Sequence, residues 1–251
     1  MVDDLARYAD ANGLRTYYEI HGNPDGDPVL LLHGGFGNAN NFNAMRPALE
    51  EHYELIVPER RGHGHTPDLP GPITYDNMAE DTIAFMAAIG LERAHLVGWS
   101  DGAMVGLLVA LRAPERVSKL AFLSQHVNLA GRRVPGESAT TGWTIDTVSP
   151  AIKRSYEKRS PDGTDHFPVV FDKMMRLFAE EPQLPIERLA GVRCPTLIAA
   201  ADVDILSLEH AVSQFRAIPN AQLAVVPDAS HSFPMDKPEL TAKLVFDFLR
   251  D

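Results

Sequence analysis

The chain has 251 residues, a length that favours one α/β core with an insertion over two independent domains. Its composition, 45% hydrophobic and 23% charged, excludes a disordered or fibrous chain. The formal net charge of −11 makes nucleic acid and anionic membrane surfaces poor partners. The longest strongly apolar run, Ala103–Leu111, is far shorter than the ~20 residues that cross a bilayer.

The amino-terminal residues and the cysteine content bear on the cellular compartment. Met1-Val2-Asp3-Asp4 is acidic and lacks the basic-then-apolar order of a signal peptide. The single cysteine, Cys194, has no partner within the chain for a disulfide or for a thiolate zinc site. We therefore expect a cytoplasmic protein without a structural metal. The oligomeric state stays open.

Short apolar runs recur along the chain from its amino end. Ala6–Ala11 and Leu14–His21 flank Asn12-Gly13, which predicts an antiparallel hairpin. The later runs are continuous, as is typical of strands buried on both faces. They are Val29–Leu32, Leu55–Val57, His95–Val97, Leu120–Leu123, Thr196–Ala199 and Leu223–Val226.

Segments with helical spacing of apolar residues lie between these runs. Met78, Thr82, Phe85 and Ile89 form one such face. Another lies near the carboxyl end, where Asp236, with a glutamate three residues later, predicts a helix start. The alternation predicts an α/β fold, with a mostly parallel central sheet flanked by helices.

Residues 130–190 break this alternation. They contain turn clusters at Gly131–Gly136 and Ser160–Gly163 and no clear apolar strand run. They also carry a helical apolar face, formed by Phe171, Met174, Met175 and Phe178. About sixty residues would bury little core alone. We predict a helical cap at 130–190, inserted between core segments 1–129 and 191–251.

One motif points to chemistry. Gly98-Trp99-Ser100-Asp101-Gly102 lies between a predicted strand and the helical run Ala103–Leu111. A glycine two residues before and two after a serine, in this context, is the pattern of a nucleophile elbow. The turn strains the serine backbone and presents its hydroxyl at a helix amino terminus, which favours developing negative charge.

Together with two further motifs, this elbow resembles the α/β-hydrolase family. His33-Gly34-Gly35-Phe36-Gly37 is similar to the family's oxyanion loop. Pro58-Glu59-Arg60-Arg61-Gly62-His63-Gly64 is similar to the turn after the next strand, with Glu59 where Asp is commoner. Among members, the elbow and the short insertion most resemble valacyclovir-hydrolase-like and carboxylesterase-like enzymes.

The resemblance implies a catalytic triad in the chain order Ser, Asp, His. Ser100 is the expected nucleophile, and His231, after the last strand, is the expected base. Asp204 is the expected acid because it directly precedes an apolar pair, whereas Asp202 is given a turn role. His210 is a less favoured base, assigned to packing or to the surface.

The resemblance also implies an oxyanion hole and a substrate pocket. The backbone N–H groups of Gly35 and Asp101 are the expected oxyanion donors, with Phe36 as the alternative to Gly35. Phe36, Trp99 and His126 are candidate pocket residues, although Trp99 also fits a core role and His126 a hinge into the insertion.

Other polar residues near these motifs receive structural interpretations. The resemblance makes His33 a structural residue under the oxyanion loop. A tight turn explains His63 and His65 better than a metal site does. Arg60 and Arg61 are interpreted as local ion-pair donors.

These observations predict a cofactor-free serine hydrolase that acts on small carboxylic esters through an acyl-enzyme. Lactones, aminoacyl esters or amides, and carbon–carbon bonds are alternative substrates of the same fold, and a catalytically silent small-molecule receptor is an alternative of another class. The Asp101 carboxylate, next to the nucleophile, either binds a substrate ammonium or has a structural role at the helix start.

Overall fold

The structure, a computed structural model, describes residues 6–134 and 140–250. The acidic stretch Met1–Asp4 and Pro135-Gly136 of the predicted turn cluster lie outside these residues. The described residues contain one eight-stranded sheet in the order β1-β2-β4-β3-β5-β6-β7-β8. The strands are β1 (Ala6–Ala11), β2 (Leu14–Gly22), β3 (Asp27–Leu32), β4 (Tyr53–Pro58), β5 (Ala94–Trp99), β6 (Val117–Leu123), β7 (Thr196–Ala201) and β8 (Ala221–Val226).

The sheet is mostly parallel, as the sequence predicts. The hairpin forms with Asn12 and Gly13 in its turn, both at positive φ. Strand β2 pairs antiparallel with β1 and β4, and the remaining neighbours pair in parallel. Parallel strands place their carboxyl ends at one edge of the sheet, and loops that leave this edge can share a site.

Helices cover the two faces of the sheet. They are α1 (Pro47–Glu50), α2 (Tyr75–Ala88), α3 (Asp101–Arg112), α4 (Pro150–Arg159), α5 (Phe167–Glu180), α6 (Leu208–Ala217), α7 (Phe233–Asp236) and α8 (Pro238–Arg250). The helix start predicted from Asp236 and the following proline and glutamate is confirmed for α8, which begins at Pro238, while Asp236 itself ends the short helix α7. The proline fits there because a first-turn residue needs no N–H donor.

Alternate residues of the central strands face two separate apolar layers. In β3, Leu30 and Leu32 belong to the layer that includes residues of α2 and α3, whereas Val29 and Leu31 belong to the layer that includes residues of α8. All four side chains are fully buried. This burial on both faces explains why β3 appears in the sequence as an unbroken apolar run. No helix of the described residues combines the length and apolar character needed to span a membrane.

The segment between β6 and β7 contains the helices α4 and α5. An ion-pair cluster joins α5 to the loop after β4: the buried Asp68 carboxylate accepts from Lys173 Nζ at 2.6 Å and contacts His166 Nε2 at 2.9 Å. The Phe36 ring, from the loop after β3, is stacked on Phe171 with ring centroids 5.9 Å apart. The helical segment therefore contacts the loops at the carboxyl edge of the sheet.

Candidate active site

Ser100 lies in a sharp turn between β5 and α3. Its backbone has φ 54° and ψ −123°, a left-handed conformation that costs energy for a residue with a side chain. A Cβ atom at Gly98 would collide with the backbone of Gly102, and one at Gly102 would collide with the carbonyl group of Leu32. The turn therefore requires both glycines, and its geometry is that of the predicted nucleophile elbow.

Three side chains from three different loops form a hydrogen-bonded chain. Ser100 Oγ is 2.9 Å from His231 Nε2, and His231 Nδ1 is 2.9 Å from Asp204 Oδ1. Asp204 follows β7 and is buried, and His231 follows β8. Trp99 Nε1 donates to the carbonyl oxygen of His231 at 2.8 Å, so this residue also holds the His231 backbone, beyond the predicted core role.

Two further residues support the acid and the base of this chain. Ser124 Oγ, after β6, donates to Asp204 Oδ2 and lies 3.3 Å from His231 Nδ1. The role of Ser124 was not predicted, although its position at the carboxyl end of a strand was a usable signal. Asp202 instead accepts the backbone N–H groups of Asp228 and Ala229 at 3.0 and 3.1 Å. Asp202 thus fixes the loop that precedes His231, consistent with its predicted turn role.

The loop after β3 is held by two buried imidazoles. His63 Nε2 accepts the backbone N–H of Phe36 at 3.1 Å, and His33 Nε2 accepts that of Arg60 at 3.2 Å. In each ring Nδ1 is 2.8 Å from a backbone carbonyl oxygen, so each neutral ring donates once and accepts once. Burial lowers the pKa of His63 to about 3 and that of His33 well below its ordinary value. The contact between His63 and the glycine loop was not predicted.

The backbone N–H groups of Gly35 and Asp101, two residues that line the cavity over Ser100, have no protein acceptor among the described residues. Among residues 6–134 and 140–250, neither Gly35 nor Asp101 donates its N–H to another protein group. The N–H of Phe36, the alternative donor, is already bound by His63. The geometry therefore favours Gly35 over Phe36 as the partner of Asp101.

The Asp101 carboxylate is buried beside the elbow, 2% exposed. Its Oδ1 accepts from the Tyr75 hydroxyl at 2.7 Å, and its Oδ2 has no hydrogen-bond partner among the described residues. Burial raises the pKa of Asp101, and the Arg60 guanidinium opposes this increase. Arg60 donates to the carbonyl oxygens of His33 and Gly34, so the prediction of an ion-pair donor fits Arg61, which pairs with Asp81, better than Arg60.

A cavity of about 450 Å³ opens over Ser100. The predicted pocket residues Phe36, Trp99 and His126 all line it. His210 lies elsewhere, with Nε2 accepting the N–H of Val127 at 3.3 Å. The other polar side chains of the wall were not predicted, and the main ones are Tyr75, Gln125, Arg132 and Glu181.

Comparisons with known proteins agree with this architecture. The family model described as "alpha/beta hydrolase fold" matches residues 27–136. A protein of Azorhizobium caulinodans, named as a carbamate hydrolase, RutD, is 27% identical over 96% of this chain and 97% of its own length.

Solved structures show the same fold. The enol-lactonase from Burkholderia xenovorans LB400 has a TM-score of 0.79 at 20% identity, covering 98% of this chain and 100% of its own. The meta-cleavage product hydrolase CumD from Pseudomonas fluorescens IP01 has a TM-score of 0.81 at 23% identity, covering 98% of both chains. The sheet order, the elbow and these likenesses together show that the chain has the alpha/beta hydrolase fold.

Proposed function

We propose that the protein is a serine hydrolase that cleaves small carboxylic esters through an acyl-enzyme on Ser100. The observation that carries this proposal is the hydrogen-bonded chain Ser100–His231–Asp204, with both links at 2.9 Å, on the wall of a cavity. The cavity volume of about 450 Å³ supports a small substrate.

In the first half of the reaction, Ser100 Oγ attacks the ester carbonyl carbon while His231 Nε2 takes the hydroxyl proton. Asp204 Oδ1 accepts from His231 Nδ1, which fixes the imidazole tautomer and stabilises the imidazolium that forms. The C–O bond to the alcohol then breaks, and His231 returns the proton to the leaving oxygen.

The tetrahedral oxyanion is stabilised by the N–H groups of Gly35 and Asp101, which have no acceptor among the described residues. A donor of this kind contributes about 3–4 kcal/mol to the barrier reduction. In the second half, water attacks the acyl carbon with His231 as the base, and the acid product and free Ser100 are released.

The test combines covalent labelling with turnover. A fluorophosphonate should label the wild type and the Ser213→Ala variant, which lacks an exposed serine of α6, but not Ser100→Ala. Turnover of a p-nitrophenyl ester should fall about 10⁶-fold in Ser100→Ala. Asp204→Asn should lose about 10⁴-fold because the wrong imidazole tautomer results.

Asp202→Asn is the matched control for the acid, because Asp202 binds only the backbone of the loop before His231. A far smaller loss is expected for this variant. Near wild-type turnover in Ser100→Ala would refute the mechanism, and a larger loss in Asp202→Asn than in Asp204→Asn would refute the assignment of the acid. Labelling without steady turnover would favour the receptor alternative.

Cleavage of a carbamate is a second candidate. It is favoured by the relative named as a carbamate hydrolase, whose alignment covers 96% of this chain. The same nucleophile would form a carbamoyl-enzyme in place of an acyl-enzyme. A panel of p-nitrophenyl esters, carbamates, lactones, aminoacyl amides and carbon–carbon cleavage substrates ranks these activities by kcat/KM. A higher kcat/KM for the carbamate than for the other substrates would show that the protein is a carbamate hydrolase.

A further inference from the structure

An arginine without a carboxylate partner lies on the wall of the cavity. Within residues 6–134 and 140–250, Arg132 forms no ion pair, and its only side-chain hydrogen bond goes from Nη2 to the carbonyl oxygen of Phe178. Its Nε is buried and has no hydrogen-bond partner there. Arg132 is partly buried, and its guanidinium keeps its charge at any physiological pH, so an anion in the cavity is a favourable partner.

The backbone holds Arg132 close to the acid loop. Arg132 forms a β-bridge with Leu206, and the next residue, Arg133, donates its N–H to the Ile205 carbonyl oxygen at 2.8 Å. Leu206 in turn donates its N–H to Asp204 Oδ1 at 3.3 Å. The backbone of Arg132 is therefore paired with the loop that carries the triad acid.

His126, another residue of the cavity wall, has a ring nitrogen without a hydrogen-bond partner among the described residues. His126 is 8% exposed, and its Nδ1 is buried without a hydrogen-bond partner among the described residues. Arg132 and His126 line the same cavity, and the Arg132 charge contributes to lowering the pKa of His126. A neutral imidazole can donate one hydrogen bond to an anion held by Arg132.

The carboxylates of the cavity do not neutralise Arg132. Asp101 accepts from the Tyr75 hydroxyl, and Glu181 Oε2 accepts the Tyr75 backbone N–H at 3.0 Å. The charged groups that act on Glu181 are other carboxylates, and Arg132 is not among them. Both carboxylates thus have hydrogen-bond partners other than Arg132.

We propose that Arg132, assisted by His126, binds a free carboxylate of the substrate, so that the physiological substrate is an anion that carries this carboxylate in addition to the scissile bond. The inference rests on the proposed hydrolase function and specifies its substrate class. Arginine suits this task because its planar fork binds a carboxylate through two parallel hydrogen bonds.

The experiment compares charged and neutral esters of matched length on the wild type and on Arg132→Gln, Arg132→Lys and His126→Phe. In the first pair, monomethyl glutarate carries the carboxylate on the acyl side and methyl valerate is its neutral counterpart. In the second pair, O-acetylglycolate carries the carboxylate on the alcohol side and propyl acetate is its neutral counterpart. The wild type should prefer the charged member of one pair. Arg132→Gln should lower kcat/KM for that member about 10–100-fold.

The neutral ester is the internal control for folding, and its kcat/KM should fall by a clearly smaller factor in Arg132→Gln than that of the charged ester. Arg132→Lys should retain part of the preference, and exposed Arg188→Gln should retain all of it. As a readout independent of turnover, calorimetry should detect glutarate binding to Ser100→Ala and its loss in the double variant with Arg132→Gln.

Equal losses on charged and neutral esters in Arg132→Gln, or no preference in the wild type for either pair, would overturn the carboxylate site while leaving the hydrolase intact. Failure of the proposed function gives a different result, because then no ester is turned over and the fluorophosphonate does not react with Ser100.

Discussion

At the residue scale, the carboxylate next to the nucleophile poses an electrostatic problem. An ionised Asp101 near a developing oxyanion would raise the barrier unless a positive group offsets it. The structure supplies such a group in the chain itself, since the Arg60 guanidinium acts on Asp101 and donates to the carbonyl oxygens of His33 and Gly34. A substrate ammonium is not needed to balance this charge.

We therefore expect Asp101→Asn to weaken hydrolysis of an amino-acid ester and of its des-amino analogue by the same factor. Asn retains the shape and can accept from the Tyr75 hydroxyl, so the factor should stay below about tenfold. The measurement is kcat/KM for both esters on both proteins. A wild-type preference for the ammonium ester that disappears in Asp101→Asn would show instead that Asp101 binds the substrate.

At the scale of elements, the loop between β3 and α1 depends on a residue from another loop. Phe36 has φ 53°, and its N–H is bound by His63 Nε2. The preceding residue, Gly35, supplies the proposed oxyanion donor. An N–H that is displaced by a fraction of an ångström contributes less to the transition state, because oxyanion stabilisation depends on preorganised geometry.

Replacing His63 should therefore reduce kcat more than it changes KM. His63→Leu removes the acceptor, and we expect a loss of about 10–100-fold in kcat. His63→Gln offers a side-chain oxygen to the Phe36 N–H and should recover part of this loss. Steady-state kinetics on a neutral ester, with exposed His52→Gln as the control, measure the effect. Equal kcat in His63→Leu and the wild type would exclude a positioning role.

The strands and helices differ in how well sequence patterns predict them. The central strands were predictable because burial on both faces leaves a continuous apolar run, and the hairpin because Asn12-Gly13 fits its turn. Helix α4 was not, since Pro150–Arg159 is largely polar and buries only Tyr156.

In the candidate site, too, some residues were predictable from local motifs, whereas others have a role only through tertiary contacts. Ser100, Asp204 and His231 could be selected from their places after strands, and the structure brings their side chains into hydrogen-bond contact. The contacts of Ser124 and His63 depend on loops that meet only after folding, which no local pattern encodes.

At the scale of the whole molecule, buried neutral histidines connect stability to pH. Burial lowers the pKa of His63 to about 3, that of His126 to about 4 and that of His33 well below its ordinary value. In the unfolded chain a histidine has a pKa of ~6.5. Below that pH the unfolded chain binds protons that the folded chain does not, so acid favours unfolding.

The free energy of unfolding should thus be constant above about pH 7 and should fall between about pH 6.5 and 4, by on the order of 1 kcal/mol per pH unit for each histidine. The raised pKa of Asp101 acts in the opposite direction and moderates the fall. Urea unfolding at several pH values measures the slope. His63→Gln should reduce the slope, because one of the histidines with a lowered pKa is removed, and His52→Gln should not. Identical slopes in all three proteins would contradict this account.

Phe36 is part of both the loop after β3 and an aromatic cluster in the helical segment. Its backbone adjoins the proposed oxyanion donor Gly35, while its ring packs against the helical segment through Trp143, Phe167, Phe171 and Phe178. A substitution that reshapes this aromatic cluster for a longer or wider substrate should also move the loop that carries the proposed oxyanion donor. Selection for a new substrate would therefore carry a cost in turnover, and adaptation of this scaffold requires compensating changes at both sites. Efforts to redirect it should vary Phe36 and its ring neighbours together.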